Sequence, residues 1–367
     1  MKNKIRAIGV GILVAVWLAL TAFSWFGPRS ATSTSERRPL AQAPEVSVSN
    51  IFSGKFMGDF EKFSLDQFPL RDSFRQIKAL FHKYVMNYRD NNDIYQASGH
   101  FAKLDFPLDE TSVSRAAYVF GNIYNNFLKE SGSNIYFVTV PDKGYFLAEE
   151  NGYPAMDYEA MFSLVKEKMP WATHIDIADL LSLEDYYYTD THWKQEKLLP
   201  VAQAICQAMG TQTPKTEDFH PVTPQEPFYG VYHGQAALPV KPETITLMES
   251  ELLDGCQVYN HETGKYVEVY DKSRLTSDDL YETYLSGAQS LLTIENPQGE
   301  KGKELIVFRD SFGSSIAPLL VQGYEKVTLV DVRYLQSAAL DRYITFQGQD
   351  VLFLYSTLVL NDSATIR

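Results

Sequence analysis

The run ELIVFRDSFGSSIAPLLVQG, residues 304–323, reads as a strand, a tight turn and a helix. ELIVF (304–308) is short, continuously apolar and rich in strand formers, the pattern of a strand buried on both faces of a parallel sheet. SSIAPLLVQG reads as a helix in which Pro318 introduces a kink or an early stop. Between them lie Arg309, Asp310, Ser311, Phe312 and Gly313. A serine on such a turn has backbone N–H groups near it, at the positive end of the helix dipole, where a developing oxyanion is stabilised. Gly313 allows close approach of backbone and substrate. The run is equally consistent with Ser311 as a plain helix N-cap.

An internal control is available, because RDSF occurs again at 71–74. There no strand precedes it, and Phe74, Ile77, Leu80, Phe81, Tyr84, Val85 and Tyr88 repeat at helical spacing. Asp72 or Ser73 is the expected N-cap of that helix.

A serine hydroxyl becomes a nucleophile only beside a base, and the base must be held in one tautomer. DTHW (190–193) offers both missing groups: His192 as base and Asp190 as its orienting carboxylate. Two residues apart, they do not share a face of a regular helix, but they can converge in a loop. Taken alone, a single DxH is more often a cap and a surface histidine. Here Thr189, Asp190 and Thr191 are N-cap candidates for a helix over 193–209, and Trp193 with three tyrosines is expected to wall a pocket and exclude water. Asp-x-His also opens some dinuclear metal sites. Those need further ligands at suitable spacing, whereas the other histidines are scattered singly, so neither a metal nor a cofactor is expected.

Several strings in fixed order then carry a resemblance: GKFMGDFEKFSLDQFPLRDSF (54–74), VTVPDK (138–143), YTDTHW (188–193), FYGVYHG (228–234), DLYETYLSGAQ (279–289) and LIVFRDSFGSSIAPLL (305–320). The chain resembles the DHHW branch of the SGNH-hydrolase-like proteins, relatives of alginate O-acetylation proteins of the AlgJ and AlgX type. The resemblance implies an O-acyl esterase or acetyltransferase fold with Asp190, His192 and Ser311 as triad, in a circularly permuted motif order. It also implies a polysaccharide acceptor, an acetyl group, and a membrane-bound acyltransferase of the MBOAT type as acyl supplier. Thr191 stands where the family's name suggests a second histidine, and Ala288 stands where a polar Asn is common in relatives. Lys143, Arg333 and Tyr334 are further candidates for substrate binding or oxyanion contact, beside Gly313. A carbohydrate acetyl esterase and a non-catalytic glycan-binding scaffold are the rival functions.

Lys2, Lys4 and Arg6 precede an uncharged run from Ile8 to Phe26. As a helix its 19 residues would span roughly 28 Å, close to a bilayer core. Positive flanks belong in the cytoplasm, so the rest is expected outside, with the run an uncleaved signal anchor in preference to a cleaved signal peptide. The expected organisation is a cytoplasmic stub and anchor (1–28), a flexible linker (29–48), an N-terminal helical segment (49–100) and the catalytic domain (101–367). Alternating helices and strands over 112–140, 157–177 and 304–356 predict an α/β domain with a central, mostly parallel sheet. An insertion is expected at about 215–300. VPDK, the DTHW loop, Ser311 and DVRY (331–334) each fall near a strand's carboxyl end, where ligands bind in such sheets. The net charge of −13 argues against nucleic acid. Cys206 and Cys256 are either a disulfide or two buried thiols.

Overall fold

The computed structural model describes residues 2–367, so Met1, the first residue of the expected stub, lies outside the described residues. The chain divides into two units.

The first unit comprises residues up to Asn92 together with His233–Val240. Helix α1 (Lys2–Phe26) contains one segment, Lys4–Phe26, long and apolar enough to cross a membrane. Helices α2 (Lys55–Asp66) and α3 (Arg71–Tyr84) follow. Neither Asp72 nor Ser73 caps α3: Leu70 is its N-cap residue, at φ 57°, so both polar side chains fall in the first turn. The stretch expected as a linker makes specific bonds. Arg38 donates twice to Asp66, at 2.9 and 2.6 Å, and the Gln67 amide bridges the Ser30 and Ala41 carbonyls.

The second unit, Asp93–Tyr232 with Lys241–Arg367, is built on an eight-stranded sheet. Its strands are β1 (Asn134–Val140), β2 (Thr173–Ile175), β3 (Gln257–Asn260), β4 (Lys265–Val267), β5 (Leu291–Glu295), β6 (Glu304–Arg309), β7 (Lys326–Val330) and β8 (Asp350–Ser356). Their order is β4-β3-β5-β7-β6-β8-β1-β2. The five strands from β7 to β2 pair in parallel, whereas β5, β3 and β4 add an antiparallel edge. That edge comes from within 215–300, so part of the expected insertion belongs to the sheet.

Alternation along the strands divides the core into two layers, since successive side chains point to opposite faces. Leu305, Val307, Leu352 and Leu354 pack with helices α6 (Leu199–Ala208) and α7 (Gly313–Leu320). Ile306, Phe308, Val351 and Phe353 pack with α4 (Glu110–Ile123) and α5 (Tyr158–Lys168). Helix α6 begins six residues later than the sequence suggests. Trp193 pairs back with Tyr186 as a β-bridge, and Pro200, lacking an N–H, sits in the first turn. Cys206 and Cys256 are both buried free thiols.

Candidate active site

The register of the parallel strands brings their carboxyl ends together. Arg309 of β6 is opposite Leu354, and Ser356, the last residue of β8, is opposite Val140, the last of β1. Asp310 follows β6 and is fully buried. Its carboxylate accepts the Phe312 N–H (2.9 Å) and the Ser356 N–H (2.8 Å), locking the serine turn to the neighbouring strand. Gly313 donates its own N–H to the Asp310 carbonyl, at 3.1 Å. The N–H groups of Phe312 and Gly313 are therefore committed within the turn, which leaves the Ser311 amide as its remaining donor. A Cβ on Gly313 would lie 2.6 Å from the Arg309 Cβ. The backbone at Gly313 is therefore packed closely against the Arg309 side chain.

The DTHW residues lie on a hairpin-like loop. Tyr187 donates its N–H to the His192 carbonyl (3.1 Å), and Lys194 donates to Asp185 (2.7 Å). His192 Nδ1 and Asp190 Oδ1 are 2.6 Å apart, and His192 Nε2 and Ser311 Oγ are 2.8 Å apart. The three side chains form one hydrogen-bonded chain. Asp190 Oδ1 also accepts the His192 backbone N–H at 3.1 Å, and Oδ2 accepts Val231 N–H at 2.8 Å. A carboxylate so bound has one orientation, and an Nδ1–H facing it leaves Nε2 free to take the serine proton.

Tyr281 lies flat on the imidazole, with ring centroids 3.8 Å apart and planes 6° from parallel. Its hydroxyl reaches Ser315 Oγ (2.8 Å) and the Ser311 carbonyl (3.3 Å), so one side chain positions both base and nucleophile turn. Burial pushes its phenol far above the ordinary range, so it acts as a neutral donor. The next turn holds Leu285, Ser286 and Gly287 all at positive φ (54°, 58° and 77°). Two of these are not glycine, a strained arrangement of the kind that clusters at functional sites.

Trp193 does not wall a pocket. It is fully buried, and its indole N–H reaches Ser315 Oγ (2.9 Å) and the Phe312 carbonyl (3.2 Å). Tyr186 and Tyr187 are likewise in the core, and Tyr188 alone of the three is exposed. Thr189, expected as a cap, accepts Gly230 N–H (2.9 Å) and donates through its hydroxyl to Glu243 (2.5 Å). Glu243 also receives the backbone N–H groups of Tyr188 and Thr189. Gly230 passes so close that an added Cβ would lie 2.3 Å from the Asp190 Cα.

Lys143 is 1% exposed and lies beneath this loop. Its ammonium donates to the carbonyls of Tyr187 (3.0 Å) and Tyr188 (3.4 Å) and lies 5.1 Å from the Tyr232 ring. Burial pulls its pKa down to about 7, against the opposing pull of Asp190, Glu243 and Asp142. These bonds tie the ammonium to the backbone of the loop. Arg333 clamps Asp331 in a bidentate pair at 2.9 and 2.7 Å, while Tyr334 is 57% exposed with Arg333 over its ring. Among the described residues, no group of three or more His, Cys, Asp or Glu side chains could hold a metal ion.

Residues 180–330 match the DHHW protein family. No curated protein sequence matches the chain at significant similarity. Among solved structures, a DHHW family protein from Eubacterium siraeum superposes with a TM-score of 0.60 at 20% identity, covering 76% of this chain and 95% of its own. Bacillus cereus PatB1, solved with a sulfonyl adduct, gives 0.58 at 18% identity over 73% of this chain and 95% of its own. The O-acetyltransferase domain of Pseudomonas putida AlgJ gives 0.45 at 13% identity, covering 73% and 92%. The fold is SGNH-like, with a large, mostly parallel central sheet.

Proposed function

We propose, for a chain that carries DHHW-family sequence over residues 180–330 on an SGNH-like fold, an O-acetyltransferase acting outside the cytoplasm on hydroxyls of a secreted or cell-surface polysaccharide. The observation that carries this reading is the unbroken chain from Asp190 through His192 to Ser311 Oγ. His192 Nε2 takes the Ser311 proton as Oγ attacks the acyl carbonyl. The oxyanion is met by the Ser311 N–H, and the leaving group departs with the proton from Nε2. A sugar hydroxyl then gives its proton to Nε2 and attacks the acyl-serine, which returns Ser311 to its hydroxyl form. Attack by water in place of the sugar would make the protein an esterase, so acceptor binding and water exclusion decide the outcome. A sulfonyl adduct of PatB1 supports a reactive nucleophile in this fold.

The apolar helix Lys4–Phe26 supports a membrane-anchored topology, with the folded units on the outer side because Lys4 and Arg6 flank the cytoplasmic end. A membrane-bound acyltransferase of the MBOAT type is the proposed acyl supplier. The test is transfer of labelled acetyl from p-nitrophenyl acetate to an oligosaccharide by the full chain and by Ser311→Ala. Transfer by the wild type alone supports the reading, release to water alone makes the protein an esterase, and equal transfer by both proteins refutes the serine mechanism.

A further inference from the structure

Helix α3 is amphipathic in the reverse sense for a surface helix. Its charged side faces the protein: Arg71 pairs with Glu36, Arg75 pairs with Glu36 at 3.2 Å and donates to the Gly234 carbonyl at 2.8 Å, and Ala79 is 1% exposed. Its apolar side faces out. Leu70, Phe74, Ile77, Phe81 and Tyr84 follow each other at intervals of four and three residues, and each is between 44% and 72% exposed. At about 100° per residue these positions form one stripe, opposite Ala79. A contiguous exposed apolar stripe of this kind marks an interaction surface.

The membrane helix lies next to it within the same unit. Ser24 Oγ donates to the Ser64 carbonyl of α2 at 3.0 Å, and the Trp25 and Phe60 rings are 5.4 Å apart. Phe23 of α1 and Leu70 at the start of α3 line a common cleft of about 410 Å³. The stripe thus begins where the anchor ends. The helix is also basic, with Arg71, Arg75, Lys78 and Lys83 against Asp72, in a chain of net charge −13. Lys78 is exposed beside the stripe. Aromatic residues on one face, lysine on its flank and attachment to a spanning helix are the features of a helix lying in the headgroup region.

We infer that the apolar stripe of α3 rests in the lipid headgroup–acyl boundary of the leaflet from which α1 emerges, an inference that builds on the anchored topology proposed above. The lipid contact would give the first unit a second attachment beyond α1.

The test uses the full chain in nanodiscs of phosphatidylcholine and phosphatidylglycerol, with an environment-sensitive fluorophore on Ile77→Cys or Phe81→Cys. The native thiols are buried, and the wild type serves as labelling blank. Probes at both positions are expected to be quenched by brominated lipid and shielded from aqueous iodide, while one at Gln76→Cys, off the stripe, is reached by iodide. Iodide quenching at 77 and 81 overturns the inference, and so does shielding from both quenchers, which would mean that protein covers the stripe. A further probe at Leu18→Cys separates the two levels. If Leu18 is lipid-quenched while the stripe is not, the anchor stands and the docking fails; if Leu18 itself escapes lipid quenching, the anchored topology fails and the docking with it.

Discussion

Replacing Asp190 with Asn leaves the shape of the site and removes an acceptor. The carboxylate receives three N–H groups, His192 Nδ1 (2.6 Å) and His192 backbone N (3.1 Å) on Oδ1 and Val231 N (2.8 Å) on Oδ2. An amide has one acceptor oxygen. If that oxygen faces His192, the NH₂ meets the Val231 N–H, and a buried donor goes unpaired at a loss of about 1–3 kcal/mol. If it faces Val231, the NH₂ meets His192, and the imidazole adopts the tautomer with hydrogen on Nε2. That hydrogen then points at Ser311 Oγ, and the base can no longer take the serine proton. In a Ser-His-Asp site this change lowers turnover by about 10⁴-fold. Asp190→Asn is therefore expected to lose about three to four orders of magnitude in acetyl-serine formation from p-nitrophenyl acetate, measured by stopped-flow, with a fall of about 1–3 kcal/mol in unfolding free energy at most. A variant that stays within tenfold of wild type would refute the assignment of Asp190 as the group that fixes the His192 tautomer.

Other perturbations separate neighbouring roles. Tyr281→Phe keeps the stack on His192 and loses two hydroxyl contacts, so turnover is expected to fall only a few-fold. Tyr281→Leu also loses the stack, worth about 0.5–1.5 kcal/mol, and should fall further; equal effects would show that the stack does not position the base. Gly230→Ala places a Cβ 2.3 Å from the Asp190 Cα and must displace the loop, so turnover on p-nitrophenyl acetate should drop at least as far as for Tyr281→Leu. For Lys143, the folded state holds its proton only to about pH 7, against an ordinary value of 10.5. Between those limits the unfolded chain binds more protons, so this side chain makes stability rise with pH. Lys143→Met should flatten that rise between about pH 7 and pH 9, read by urea unfolding, and an unchanged slope would refute it.

Local features of this chain are legible in its sequence, and long-range ones are not. Strand β8 has the bounds expected of it, and β1 likewise, because continuous apolar runs between turn signals leave little choice. Asp190, His192 and Ser311 could be named from two short strings, but their convergence could not, since it depends on a register 119 residues apart. The antiparallel edge was hidden because β3, β4 and β5 are only three to five residues long. Thr189, Asp190 and Thr191 are N-cap candidates for a helix from 193 because Thr and Asp are good caps. In the fold those side chains instead hold His192, Gly230 and Glu243, a tertiary use invisible to local propensity. Tyr281 carried no signal as a partner of His192, since a tyrosine between Leu280 and Glu282 reads as ordinary core. Gly230 had one cue, a glycine within an aromatic run, which suggests close backbone approach without saying to what.

In the proposed mechanism Ser311 carries the acyl group. Intact-mass spectrometry of the full chain after brief mixing with p-nitrophenyl acetate, followed by peptide mapping, reads it directly. A single acetyl on Ser311 is expected to accumulate in wild type, to be absent in His192→Ala, and to leave when an oligosaccharide acceptor is added. Acetyl on another residue, or an unmodified Ser311 in a folded protein that still transfers acetyl, would contradict it.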